Sequence, residues 1–181
     1  MGKQRWLFPV LVILALLVGT TGCGSAQSGI SAITLPPGFQ ISIYANGVEG
    51  ARSLTLGENG VVFVGSRDAG CVYALVDEKK TGSGVTVIKM ATGLDTPNGV
   101  AFHKGSLYVA EISRILRYDQ IMDNLRQPPE PVVVNDSLPR ERHHGWKFIA
   151  IGPDEKLYVP VGAPCNICSS SDERFASILR M

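Results

Sequence analysis

The chain has 181 residues, 45% of them hydrophobic and 18% charged, with a formal net charge of +1. So even a balance carries no electrostatic footprint for nucleic acid or for an anionic membrane surface. The apolar share and the 20 glycines suit one folded domain with many turns.

Residues 1–22 read as a signal peptide rather than as part of the fold. Lys3 and Arg5 make a basic start, and Trp6 to Val18 is an apolar run too short to span a bilayer comfortably. It ends in Gly19-Thr20-Thr21-Gly22-Cys23, which resembles a bacterial lipoprotein cleavage site with Cys23 as the lipidated residue. Thr20 stands where such sites usually carry leucine, and an ordinary cleaved secretory signal is the alternative. Both readings export the chain. The lipoprotein reading places it at the cell envelope, on the periplasmic face or the cell surface, touching the membrane through a lipid anchor only. Removing residues 1–22 takes away two basic and no acidic residues, leaving 159 residues and a net charge of −1. Residues 23–34 are small and polar, a flexible tether.

From residue 35 onward the pattern is β throughout. Leu35 to Phe39 leads into Gln40 to Ala45, an alternating segment expected as a strand. Ser53 to Leu56, the turn Gly57 to Gly60 and Val61 to Gly65 form a strand-turn-strand unit. Gly70 to Asp77 and Val85 to Met90 add a third and a fourth strand, joined by the solvated loop Glu78 to Gly84. Gly99 to Phe102 and Leu107 to Ala110 flank His103 to Ser106 in the same way, followed by Arg114 to Asp119 and Pro131 to Val134. The insert Gln120 to Pro129 has room for one helical turn before its prolines end it. A third unit begins with Phe148 to Ile151, turns at Gly152-Pro153-Asp154-Glu155, and returns at Leu157 to Val159. Ser177 to Arg180 starts another strand.

Val64, Val109 and Val159 stand 45 and 50 residues apart in these units. Such periods, with about four short strands each, mark the blades of a β-propeller. The fold expected is all-β, about two and a half to three blades of an incomplete ring. Residues 35–181 are then the N-terminal part of a propeller domain, and Gln40 to Ala45 is the kind of strand that completes a last blade. An open ring lacks blade interfaces, so the chain as given is expected not to fold stably alone.

His144-Gly145-Trp146-Lys147, the Gly152-Pro153-Asp154 turn and Lys156-Leu157-Tyr158-Val159 resemble the histidine segment of the soluble quinoprotein glucose/sorbosone dehydrogenases. Val161-Gly162-Ala163-Pro164-Cys165-Asn166-Ile167-Cys168 is most similar to the sorbosone branch. The resemblance implies a six-bladed propeller that uses pyrroloquinoline quinone (PQQ) with calcium to oxidise sugars or sugar aldehydes. It also implies a quinone or cytochrome as electron acceptor, and His144 as the general base that takes the substrate hydroxyl proton. His143 departs from the acidic residue that precedes the base in the glucose-oxidising branch. The cationic groups and calcium carbonyls of the family belong to later blades, so no metal ligand is assigned.

Counting back from the turns puts Arg52, Asn98 and Lys147 at equivalent places in the loops leading into the first strand of each unit. With His143 they are candidates to face substrate or cofactor; closing blade-to-blade hydrogen bonds is the structural alternative. Arg140, Glu141 and Arg142 read as solvated rim charges. Cys165 and Cys168, a C-x-x-C in an exported chain with no second pair to complete a zinc site, read as a local disulfide. Cys71 reads as a small buried hydrophobe. A non-catalytic exported propeller, a binding or scaffold module, is the alternative function.

Overall fold

The computed structural model describes residues 30–181; the segment 1–22 that reads as a signal peptide, and Cys23, lie outside the described residues. Residues up to Ser42 form a separate unit. It contains a short 3-10 turn, Ile30–Ala32, and a turn closed by Phe39 N–H donating to the Pro36 carbonyl at 3.2 Å.

Residues 43–181 hold three antiparallel sheets laid down in chain order. The first is β1 (Ala51–Leu56), β2 (Val62–Ser66), β3 (Val72–Val76) and β4 (Thr86–Ala91), each paired with the next. The second is β5 (Gly99–His103), β6 (Ser106–Ala110), β7 (Ile115–Tyr118) and β8 (Val132–Asn135), again in sequence order. The third is β9 (Ala150–Ile151), β10 (Leu157–Val161) and β11 (Ser177–Arg180). These are three consecutive β-propeller blades. The helical turn allowed for in the second blade is the 3-10 turn Ile121–Asp123.

Two segments depart from the sequence reading. Residues 40–45 form no strand among the described residues, since an alternating pattern becomes a strand only where a ladder pairs with it. The strand expected from Phe148 shrinks to β9 because the backbone before it is engaged sideways: the Lys147 carbonyl accepts from Asn98 Nδ2 at 2.6 Å. Phe148 is left 61% exposed.

Period-two alternation explains how the blades stack. On β2, Phe63 turns toward the second blade while Val64 turns away from it. Phe63, Val72, Ala74 and Ile88 pack on Val100, Leu107, Val109 and Leu116 to make the interface between the first two blades. There Phe63 stacks on Phe102 with ring centroids 5.8 Å apart. Ala101, Ala110 and Ile115 use the opposite face of the second blade to meet Ile149, Leu157 and Val159 of the third. Val64, Tyr73, Leu75 and buried Cys71 form a third cluster on the outer face of the first blade.

Each first strand lies beside the next, and polar groups link the loops that lead into them. Ser53 Oγ donates to the Asn98 carbonyl, and Asn98 Nδ2 to the Lys147 carbonyl. The hydrogen bonds thus step from blade to blade along the inner edge.

Candidate active site

A cavity of about 370 Å³ lies on that inner edge, lined by Arg52, Ser53, Asn98, His144, Trp146 and Phe148, with Pro160 and Gly162 behind. All three blades contribute to it. A larger groove of about 560 Å³ sits at the outer rim between β4 and the 121–127 insert, but it offers no histidine or cysteine. The inner cavity is the candidate site.

His144 stands in its wall in a left-handed backbone conformation, φ 53°. A β-carbon is uncomfortable there, at a cost of about 1–3 kcal/mol unless the surroundings hold it. Two glycines let them do so. A β-carbon at Gly145 would strike the Glu141 carbonyl, and one at Gly162 would strike His144 itself, 2.7 Å from its Cβ. The loop after β10 can therefore close directly over the histidine. Its Ala163 carbonyl lies 3.2 Å from His144 Nδ1. A carbonyl oxygen only accepts, so neutral His144 carries its proton on Nδ1 and keeps a lone pair on Nε2. That is the form a proton acceptor needs.

Trp146, two residues on, meets the imidazole edge-on with ring centroids 6.4 Å apart. The Arg67 guanidinium, from the β2–β3 loop, lies 4.1 Å from a Trp146 ring centroid and fixes the indole by a cation–π contact. Arg52 has no ion-pair or hydrogen-bond partner among the described residues and is exposed to the cavity. It is the cavity's own cation.

Of the residues singled out in the sequence, Arg52, Asn98 and His144 share this wall, while His143 and Lys147 turn elsewhere. His143 is exposed, with Nε2 3.2 Å from Asn166 Oδ1 and its ring 4.0 Å from that of His144. Lys147 is 2% exposed and points into the junction of the second and third blades. Its Nζ donates to the Gly145 carbonyl at 2.8 Å and to the carbonyl of Ile112. Burial pushes its pKa down to about 8, because the charged form has lost water and gained only carbonyl dipoles. Asn98 serves the blade junction through its amide while its other side faces the cavity.

Ser53 was not expected. A bulge between Ala51 and Leu54 shifts the β1 register, so Ser53 makes the blade-to-blade bond that Asn98 makes in the next unit, and Arg52 is left to the cavity. No sequence signal marks that bulge. Trp146 and Phe148 could have been found, since they flank Lys147 at the spacing that alternates faces. The rim is braced by ion pairs. Arg142 pairs with Asp95 at 2.8 Å, the Asp95 N–H donates to buried Glu111 at 2.6 Å, and Glu111 pairs with Arg114. The hydrogen bond that Arg114 donates to Glu111 raises the Arg114 pKa.

Cys165 and Cys168 are joined in a disulfide, with Cα atoms 5.8 Å apart. It closes the loop whose Ala163 and Asn166 contact the two histidines, and Ile167 at its tip is 96% exposed. Among the described residues no group of three or more His, Cys, Asp or Glu side chains could hold a metal ion.

Three consecutive blades whose lead-in loops gather around one inner cavity define a β-propeller. The chain matches no protein-family model and no curated protein sequence. Among solved structures it is similar to the PQQ-bound aldose sugar dehydrogenase of Streptomyces coelicolor. The TM-score is 0.58 and the identity 25%, over 78% of this chain and 47% of that one. It is also similar to the holo PQQ domain of a Coprinopsis cinerea pyranose dehydrogenase, with TM-score 0.58 and 13% identity over 67% and 30% of the two chains. The calcium structure of a Trichoderma reesei carbohydrate-active enzyme of family AA12 matches with TM-score 0.55 and 17% identity, over 67% and 31%. The last two likenesses establish the fold alone. The chain spans less than half the length of each of these structures.

Proposed function

We propose that the protein is a PQQ-dependent oxidoreductase of sugars or sugar aldehydes, of the sorbosone dehydrogenase kind, with His144 as general base. The observation that carries this reading is the oriented imidazole. His144 is held on a cavity wall by the Ala163 carbonyl, with Nε2 free to accept a proton. The likeness to a PQQ-bound aldose sugar dehydrogenase supports it.

The residues present fit one edge of a planar, carboxylate-bearing cofactor. The Arg52 guanidinium offers a two-pronged partner for a carboxylate, and exposed Phe148 offers an aromatic face. PQQ, when bound, supplies the two-electron acceptor for a hydride leaving the substrate carbon. His144 Nε2 takes the proton of the hydroxyl on that carbon, so the C–O bond becomes a carbonyl as both hydrogens depart. Trp146 and Phe148 keep water from the side of the cavity they form. A hard cation wants a cage of oxygens, and among the described residues no group of three or more His, Cys, Asp or Glu side chains supplies carboxylates for one. No step is assigned to calcium. The electron acceptor in this reading is a quinone or a cytochrome, and the protein is held at the cell envelope through lipid on Cys23.

The test is steady-state kinetics of the full-length protein with added PQQ, calcium and an artificial electron acceptor. His144→Ala should lower turnover by about 10²–10⁴ while PQQ binding persists. Near-wild-type turnover in that variant would remove the base assignment. A wild-type protein inert toward sugars and aldehydes would turn the reading toward an exported binding module.

A further inference from the structure

We infer that Lys147 is a positioning residue for His144: its buried Nζ ties the Gly145 carbonyl, next to the histidine, to the Ile112 carbonyl of the neighbouring blade. The inference rests on the reading of His144 as the base.

The physical case begins with the backbone at His144. A left-handed histidine relaxes to a commoner conformation unless both flanks are fixed. On the far side, the loop after β10 closes over it through Gly162 and Ala163. On the near side the chain runs Gly145-Trp146-Lys147, and this stretch precedes the two-residue strand β9 and belongs to no ladder of its own. What holds it is Lys147, twice. Its carbonyl accepts from Asn98 Nδ2 at 2.6 Å, and its ammonium reaches back over Trp146 to the Gly145 carbonyl and across to Ile112. Ile112 is itself fixed, since its N–H donates to the Asp95 carbonyl at 3.2 Å. Lys147 thus pins the histidine loop of the third blade to the second, beside the Asn98 amide and the Arg142–Asp95 ion pair.

The chemistry of that side chain fits the task. A lysine buried without a carboxylate partner is expensive. Two of its three N–H groups are used on carbonyls, and its four-carbon stem fills the blade junction. No shorter polar residue spans both carbonyls with the same reach. Without the tie, the Gly145 carbonyl would seek water, the loop would relax, and the Ala163 contact that sets the imidazole tautomer would loosen.

Two variants of the full-length protein test this. Lys147→Met keeps the stem and removes the donors; Lys147→Gln keeps two N–H donors without the charge. The readouts are kcat and KM, and the His144 tautomer from long-range proton–nitrogen NMR, made tractable because the chain has 3 histidines. In the wild type His144 should carry its proton on Nδ1. Lys147→Met should mix the tautomers and lower kcat by about 10²-fold, the size expected for a misplacement near 1 Å, with KM little changed. Lys147→Gln should restore part of both. A folded Lys147→Met protein with wild-type tautomer and kcat would overturn the inference. So would an Nε2-protonated wild type, or loss of the fold in both variants, which would make Lys147 a strut of the blade junction and nothing more. Should the wild type oxidise no sugar, the proposed function fails on its own, while the tautomer readout still decides the role of Lys147.

Discussion

Raising the pH from 7 to 10 should strengthen this protein through Lys147 before weakening it through its tyrosines. Below about 8 the folded protein must keep a buried ammonium in the blade junction, whereas the unfolded chain holds the same proton up to its ordinary value of 10.5. Between those two values unfolding takes up a proton, so stability rises with pH. At 1.36 kcal/mol per pH unit, the interval from about 8 to 10.5 corresponds to about 3 kcal/mol. Below 8 the penalty is present in full and constant. Burial raises the pKa of Tyr73 and Tyr118 instead, so their contribution falls as the pH climbs past 10. A single stability curve would mix the two, and the difference between wild type and Lys147→Met separates them. Urea unfolding of both proteins at pH 7, 8, 9 and 10 gives that difference directly. It should shift in favour of the wild type by about 2.5 kcal/mol across the series, which stops short of 10.5, with most of the change above pH 8. A flat difference, or one that falls, would show that Lys147 keeps its charge at ordinary cost and that the junction is wet. The tie to the two carbonyls should survive the titration, since a neutral amine still has two N–H donors.

Phe63→Ala should cost about 3–5 kcal/mol in urea unfolding, since Phe63 is fully buried between the first two blades and stacked on Phe102. Gly162→Ala should lower kcat by about 10²-fold, because its β-carbon would displace the His144 backbone; unchanged kcat would show that the loop has room to shift. Reducing Cys165–Cys168 should lower stability by about 2 kcal/mol, the chain-entropy value for so short a loop. Alkylation without reductant, read by mass spectrometry, should leave both cysteines unlabelled.

The blades were legible because their signal is local. A strand that alternates, a turn rich in Gly, Asp and Asn, and a second strand recur at Val64, Val109 and Val159, and β2, β6 and β10 each contain one of these valines. Where the turn chemistry was plain, strand positions followed within a residue or two. The site was legible only in part, for two physical reasons. The bulge in β1 inserts a residue without any mark in the sequence, so the equivalence of Arg52, Asn98 and Lys147 holds in count but not in direction. A long side chain can also leave the face its register assigns, and Lys147 reaches back two residues to a carbonyl rather than forward into the cavity. Residues 40–45 show the converse: the pattern of a strand is present, but a ladder also needs a neighbour.

The arrangement also explains why a base would be placed at a blade junction rather than within a blade. Inside a blade the ladder fixes every backbone group, and a side chain can point only along the alternation of its strand. At the junction the lead-in loop is free of the ladder, so a left-handed residue is possible and its ring can be aimed at the axis. Freedom of that kind brings disorder unless other groups remove it. Here they come from three directions: Asn98 and Ile112 from the second blade, Ala163 from the third, and Arg67 from the first by way of Trp146. Each is a backbone carbonyl or a side chain rooted in a strand end, and none reaches into the cavity to compete for a ligand except Asn98. The orientation of His144 is therefore a property of how the blades pack, and a change at any of these contacts would reach the imidazole through the backbone before it reached anything bound beside it.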